Sequence, residues 1–186
     1  MAHVTLRGNP VTTSGELPAV GSKVPHFTVT KADLTEMTDA DLLGKRTILN
    51  IYPSIDTPTC ATSTRKFNEL ASSLDNTTVI CVSADLPFAQ RRFCGAEGIK
   101  NVQTASTFRS DFGKSFGVNL EDGAMRGVLA RAIVVVDEKG VVNYTQLVGE
   151  IADEPNYDAA NRFLADSGGH SRFGRLRRKA TDIRWR

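Results

Sequence analysis

Thr57-Pro58-Thr59-Cys60 is the stretch of this chain in which residue type and spacing most directly suggest chemistry. It closes the segment LNIYPSIDTPTC, residues 49–60, where an apolar run ends at Pro53 and a short polar loop leads to the sulfur. Disulfide exchangers place a C-x-x-C pair at this point, after a buried strand and at the start of a helix. Here a hydroxyl replaces the first sulfur, and the motif reads T-x-x-C. Pro58 suits a first helical position, which puts Cys60 in the opening turn. The unpaired N–H groups and the positive end of the helix dipole there favour a thiolate, which an unperturbed thiol forms only to a few per cent at neutral pH. Thr57 can donate its hydroxyl proton to that thiolate or to a small oxidant bound beside it, whereas a cysteine would close a disulfide with Cys60. Pro53 and Pro58 stiffen the loop and shield one side of the sulfur. The competing assignment is a buried structural thiol, common among free cysteines. The surrounding P-x-x-x-T-x-x-C argues for chemistry instead.

Two further cysteines must be placed. Cys81 sits inside TTVICVSA, among buried-strand residue types, and reads as structural and unreactive in the folded protein. Cys94 lies 34 residues beyond Cys60, in RRFCGAEG. Three cysteines are too few for a secreted disulfide framework, and neither C-x-x-C nor H-x-x-x-H occurs. His3, His26 and His170 are far apart, which makes a zinc site improbable.

The elements that would position these groups follow from punctuation and period. HVTLRGNPVTTSG predicts a β-hairpin turning at Gly8-Asn9-Pro10. HFTVTKADLTEMT is strand-like, and DADLLGK is a short helical turn or loop closed by Gly44. RTILNIY reads as a strand covered on both faces. Phe67, Leu70, Ala71 and Leu74 then fall at helical spacing after Cys60. TTVICVSA is a second buried strand, PFAQRRFCGAEG a helix begun by Pro87 and ended near Gly95 or Gly98, and VQTAST a short strand. A short helix in SDFGKSFGV and a glycine-rich loop, LEDGAMRGVLA, come next. RAIVVVD, the turn EKG and VVNYTQLVG form a hairpin, with a helix starting near Tyr157. That order predicts an α/β, thioredoxin-like fold with an N-terminal β-hairpin. The 186 residues suit one domain, with no apolar run long enough to span a membrane and no signal-peptide pattern, which points to the cytoplasm.

PSIDTPTC after a buried strand resembles the active-site motif of the peroxiredoxins. More narrowly, LNIYPSIDTPTCATSTRKFNE, SADLPFAQRRFCGAEG and ARAIVVVDEKGVV resemble the bacterial thiol peroxidase branch, of atypical two-cysteine type, over about residues 3–160. The resemblance implies that Cys60 attacks hydrogen peroxide or an organic hydroperoxide and becomes a sulfenic acid. Pro53 and Thr57 would complete the pocket, and Arg131, otherwise a surface arginine at a strand start, would polarise thiolate and peroxide. Cys94 would resolve the sulfenic acid as an intramolecular disulfide. Because a disulfide needs Cα atoms within about 7 Å, the first turn at Cys60, the helix near Cys94, or both would have to unwind, which Gly95 and Gly98 would ease on the Cys94 side. Thioredoxin would be the reductant and a homodimer the usual state, with no metal, flavin, haem or nucleotide. Met125, Val128 and Leu129 raise alkyl or lipid hydroperoxides as substrates.

The C-terminus departs from that pattern. Residues 1–160 hold 15 Lys and Arg against 19 Asp and Glu, whereas residues 161–186 hold eight against two. The chain therefore divides into a domain, 1–160, and a basic tail, 161–186. The tail is expected to be disordered, or else a basic amphipathic helix (Phe173, Leu176, Ala180, Ile183) for an acidic partner, nucleic acid or anionic lipid. It leaves Phe163 and Leu164 as apolar anchors of the last domain helix. Alternatives to a peroxidase are a redox sensor or relay using the same two cysteines, and a binding module in which the tail is the functional part. Thr57 argues against a thiol–disulfide oxidoreductase, and the lack of a nearby histidine against a cysteine protease.

Overall fold

The computed structural model describes residues 1–166. Its strands are β1 (His3–Leu6), β2 (Asn9–Thr12), β3 (Thr28–Lys31), β4 (Glu36–Thr38), β5 (Arg46–Ile51), β6 (Thr77–Ser83), β7 (Gln103–Ser106), β8 (Ala132–Val136) and β9 (Val142–Leu147). The helices are α1 (Pro58–Ala71), α2 (Pro87–Glu97), α3 (Phe112–Ser115) and α4 (Tyr157–Asp166), with a 3-10 turn at Asp39–Leu42. β1 and β2 form a separate two-stranded sheet, and the other seven strands form one sheet in the order β4-β3-β7-β6-β5-β8-β9. β5, β6 and β7 run parallel, joined by α1 and α2, while β8 pairs antiparallel with β5 and β9.

The central strands bury side chains on both faces, which is why their sequences read as nearly continuous apolar runs. Alternation divides them. Ile48, Val79, Ile133 and Val135 pack with Phe67 of α1 and Ala160 of α4. Leu49, Ile51, Ile80, Val82, Val134 and Val136 pack on the other face with Phe27, Phe112 and Phe116. Leu74 lies past the end of α1 yet still packs on the Phe67 cluster. α2 ends where Gly98 takes the left-handed conformation at φ 66° and donates its N–H to the Cys94 carbonyl.

The N-terminal hairpin turns one residue earlier than its sequence suggests. Leu6 pairs with Asn9 and Thr5 with Pro10, so the turn is Arg7-Gly8 and Asn9-Pro10 already belongs to β2. Both turn residues have positive φ, 51° and 79°, as a two-residue primed turn requires. Pro10 is tolerated because β2 is an edge strand. The HFTVTKADLTEMT segment resolves into two paired strands, β3 and β4. At the other end, Phe163 of α4 stacks on Tyr144 of β9 with ring centroids 4.8 Å apart. The readings of residues 167–186 lie outside the described residues. Among those described, no helix is long and apolar enough to cross a membrane.

Candidate active site

β5 delivers Pro53 and the loop to α1, and Thr57 is the residue before the helix, with Pro58 at its first position. Thr57 does not cap the helix with its side chain. Its hydroxyl donates instead to the Ser54 carbonyl at 3.1 Å. Cys60 therefore stands in a first turn without a side-chain cap, at the positive end of α1. The helix is held closed just beyond it, because the Ser63 and Thr64 hydroxyls each donate to the Cys60 carbonyl at 3.0 Å. Thr64 also meets the hydroxyl of the fully buried Tyr52 at 3.3 Å, and burial pushes that phenol well above the usual range.

Arg131 precedes β8, whose first residue, Ala132, pairs with Ile51 at the end of β5. That register carries the arginine to the sulfur. It is 2% exposed; Nε donates to the Ile151 carbonyl at 2.9 Å, and Nη2 lies 3.4 Å from Cys60 Sγ. Nη1 is buried without a hydrogen-bond partner. In front of it opens a cleft of about 550 Å³ lined by Pro53, Thr57, Pro58, Thr59, Met125, Arg131 and Ile151, with Leu6, Arg7 and Asn9 of the hairpin across from them. Cys60 is fully buried behind this lining. Of the three apolar loop residues with a potential substrate contact, Met125 lines the cleft, whereas Leu129 is buried in the core and Val128 packs against it.

Two carboxylates hold the surroundings. Glu150 accepts the N–H groups of Arg7, Gly8 and Ala152 and the Thr5 hydroxyl, and these bonds push its carboxyl down to about 2. They clamp the hairpin tip to the loop whose Ile151 carbonyl holds Arg131 and whose Ala152 carbonyl accepts the Thr59 hydroxyl. Glu154 accepts Lys66 of α1 and the Tyr157 hydroxyl of α4, each at 2.7 Å, and is held low by them. Neither glutamate stands out in the sequence, because their partners are distant backbone groups or lie on other elements.

The other thiols differ sharply. Cys81 is fully buried beneath Cys60, 3.5 Å from Asn50 Nδ2, and burial pushes its thiol up to about 11. Cys94 is half-buried in α2, with its thiol raised by burial. It packs at the margin of the cluster of Tyr52, Ile55, Cys60, Cys81 and Phe93. It also lines a second cleft with Lys31, Arg91 and Thr104. All three cysteines are free. Thr57, Pro53 and Arg131 thus line one cleft, with Cys60 buried against Arg131, and Cys94 lines another.

A buried thiol at a helix start, backed by a guanidinium and set on a thioredoxin-like sheet, defines a sulfur-based redox protein. The profile of the Redoxin family matches residues 19–160, and the chain belongs to that family. Within it, the chain's branch is the thiol peroxidases. It is 59% identical over 160 residues to the thiol peroxidase of Mycobacterium tuberculosis (strain ATCC 25618 / H37Rv), covering 86% of this chain and 96% of that one. The thiol peroxidase of Corynebacterium glutamicum is 55% identical, with 86% and 97% covered. Among solved structures, a peroxiredoxin-like protein from Aquifex aeolicus superposes with a TM-score of 0.85 at 41% identity, covering 90% of this chain and 98% of the other. Thiol-dependent peroxide reduction is the chemistry of this branch.

Proposed function

We propose that the protein reduces hydrogen peroxide and organic hydroperoxides by a cycle of its own Cys60 and Cys94. The observation that carries this reading is the Cys60 sulfur, 3.4 Å from a buried guanidinium at the back of a partly apolar cleft. The Cys60 thiolate attacks the terminal oxygen of the hydroperoxide. The O–O bond breaks, the sulfur becomes a sulfenic acid, and the alkoxide released takes a proton from solvent to leave as the alcohol, or as water. Arg131, with Nη1 unpartnered, faces the oxygen on which charge develops. Thr57 has its proton on the Ser54 carbonyl, so its lone pairs are free to accept from the peroxide O–H. Pro53 and Pro58 wall the site.

The Cys94 thiol then condenses with the sulfenic acid, forming the disulfide and releasing water. The two residues sit on different helices, so closure requires the start of α1, the end of α2, or both to unwind. A dithiol partner, thioredoxin, reduces the disulfide to two thiols and is itself oxidised. The electrons reside in sulfur throughout, so the cycle needs no separate cofactor. The exposed side chains of Leu86, Phe88 and Phe108 support a homodimer, and three cysteines without the spacing of a disulfide framework support the cytoplasm. In this reading residues 1–160 form the peroxidase body and 161–186 a basic appendage, whose first residues complete α4 and pack Phe163 on the body.

One equivalent of hydroperoxide, alkylation of the remaining thiols and peptide mapping without reduction test the cycle. The expected product is a Cys60–Cys94 disulfide with Cys81 alkylated after unfolding. Cys60 stopped at sulfenic or sulfinic acid beside a free Cys94 would refute the resolving role.

A further inference from the structure

The motif SADLPFAQ, residues 83–90, takes no part in the sulfur chemistry above, yet its polar side chains form one connected network. Ser83 at the end of β6 and Gln90 in α2 are fully buried. Gln90 Nε2 donates to Ser83 Oγ and to the Ala105 carbonyl, each at 3.0 Å. Ser83 Oγ donates to the Asp85 carboxylate at 2.7 Å. The same carboxylate accepts the Ser54 hydroxyl and the Ile55 N–H, both at 2.7 Å. The backbone carbonyl of Asp85 accepts the Ser106 hydroxyl. Asp85 thus joins the ends of β6 and β7 to the turn that leads from β5 into α1.

That turn holds Thr57. The Ser54 carbonyl accepts both the N–H and the hydroxyl of Thr57, each at 3.1 Å. The direction of the Thr57 hydroxyl therefore depends on Ser54, and the place of Ser54 on Asp85. A carboxylate is acceptor-only, which matches the two hydroxyls and one amide that point at it. Asp85 also stands just before the N-terminus of α2, the helix that carries Cys94. Outside this clasp, Arg92 of α2 pairs with Asp56 of the same turn at 3.0 Å.

We infer that Asp85 is a positioning residue that acts through Ser54 and Ile55 on Thr57, and that it ties release of the Cys60 turn to release of α2. The inference rests on the Cys60–Cys94 cycle proposed above. The clasped state is the one that meets peroxide, and the released state is the one in which Cys60 reaches Cys94. Weakening the clasp then moves the two half-steps in opposite directions. A residue with only a structural role would change the folded fraction, or slow both steps together.

The test uses Asp85→Asn and Ser54→Ala, each built with and without Cys94→Ser. With Cys94 replaced, rapid quenching by alkylation gives the rate constant at which one hydroperoxide consumes the Cys60 thiol. Asp85→Asn is expected to lower it about 10- to 100-fold, since small displacements of a positioning group have effects of that size, and Ser54→Ala to lower it less. The amount of reactive thiol stays unchanged. With Cys94 present, conversion of sulfenic acid to disulfide speeds up, and the yield of sulfinic acid under excess peroxide falls. Peroxide rate constants unchanged in both variants overturn the inference, and so do both half-steps slowing together. If Asp85→Asn does not fold, Ser54→Ala decides by the same criteria. A Cys94→Ser parent whose Cys60 is not consumed overturns the peroxidatic role itself, and the inference with it.

Discussion

Replacing Arg131 by lysine separates charge from geometry at the reacting sulfur. The guanidinium uses three nitrogens in three directions: Nε to the Ile151 carbonyl at 2.9 Å, Nη2 to Cys60 Sγ at 3.4 Å, and Nη1 without a protein partner. A lysine keeps the charge but brings one nitrogen, which cannot serve all three positions. A hydrogen bond to a charged group is worth about 1.5–3 kcal/mol. The bond to oxygen forms as the O–O bond breaks, so its loss falls on the barrier and slows the reaction about 10- to 150-fold. The Ile151 carbonyl is also left without its buried donor, which lowers stability by about 1–3 kcal/mol. Single-turnover oxidation of Cys60 in a Cys94→Ser background, followed against peroxide concentration, gives the second-order constant directly. Arg131→Met, which removes the charge as well, falls further. An Arg131→Lys protein that reacts within about threefold of its parent, a difference below about 1 kcal/mol, would show that the three-way fork contributes nothing beyond its charge.

Cys81, buried and pushed up to about 11, should resist iodoacetamide at pH 8 until the protein is unfolded; labelling at Cys81 in the native state would contradict the burial argument. Glu150 has its carboxyl held at about 2 against an ordinary 4.5, so the stability it adds is present above pH 4.5 and is lost as pH falls toward 2. Urea midpoints measured across that window should fall less steeply for Glu150→Gln than for the parent, and equal slopes would dismiss the clamp. Phe67→Ala empties the centre of the α1–α4 face and should cost about 3–5 kcal/mol in chemical denaturation; a loss under about 1 kcal/mol would show that face to be repacked.

The parallel core was legible because strands covered on both faces cannot avoid continuous apolar runs, and because Pro58 and Pro87 mark helix starts that the structure keeps. The Arg7-Gly8 turn was not. A non-glycine residue at φ 51° leaves no compositional trace beside the more conspicuous Asn9-Pro10. At the site, the place of Cys60 in the first turn of α1 could be read locally, whereas Thr57, read as a donor to the sulfur or its oxidant, gives its proton to the Ser54 carbonyl instead. Arg131 could be reached only through resemblance. Its approach to a sulfur 71 positions away follows from the register of β8 on β5, which no local pattern encodes. Asp85 and Glu150 were missed for the same reason. Each serves backbone N–H groups on distant segments, and such groups are identical in every residue but proline. The motif around Asp85 was visible as a string, and its meaning became apparent only once Ser54 and Ile55 lay against it.

The N-terminal hairpin is a sheet of its own, joined to the rest through isolated bridges such as Thr5 with Glu150 and Thr13 with Leu120. Its tip nevertheless forms one wall of the cleft in front of Cys60. Lineages can therefore recharge or resize the side chains of that tip, whereas its length is fixed by the Arg7 and Gly8 N–H groups that Glu150 holds, beside the Ile151 carbonyl on which the placement of Arg131 depends. The range of oxidants admitted and the reactivity of the sulfur become separately heritable traits. Diversification within the branch should then accumulate at Leu6 to Asn9, while the ends of β5 and β8 stay unchanged.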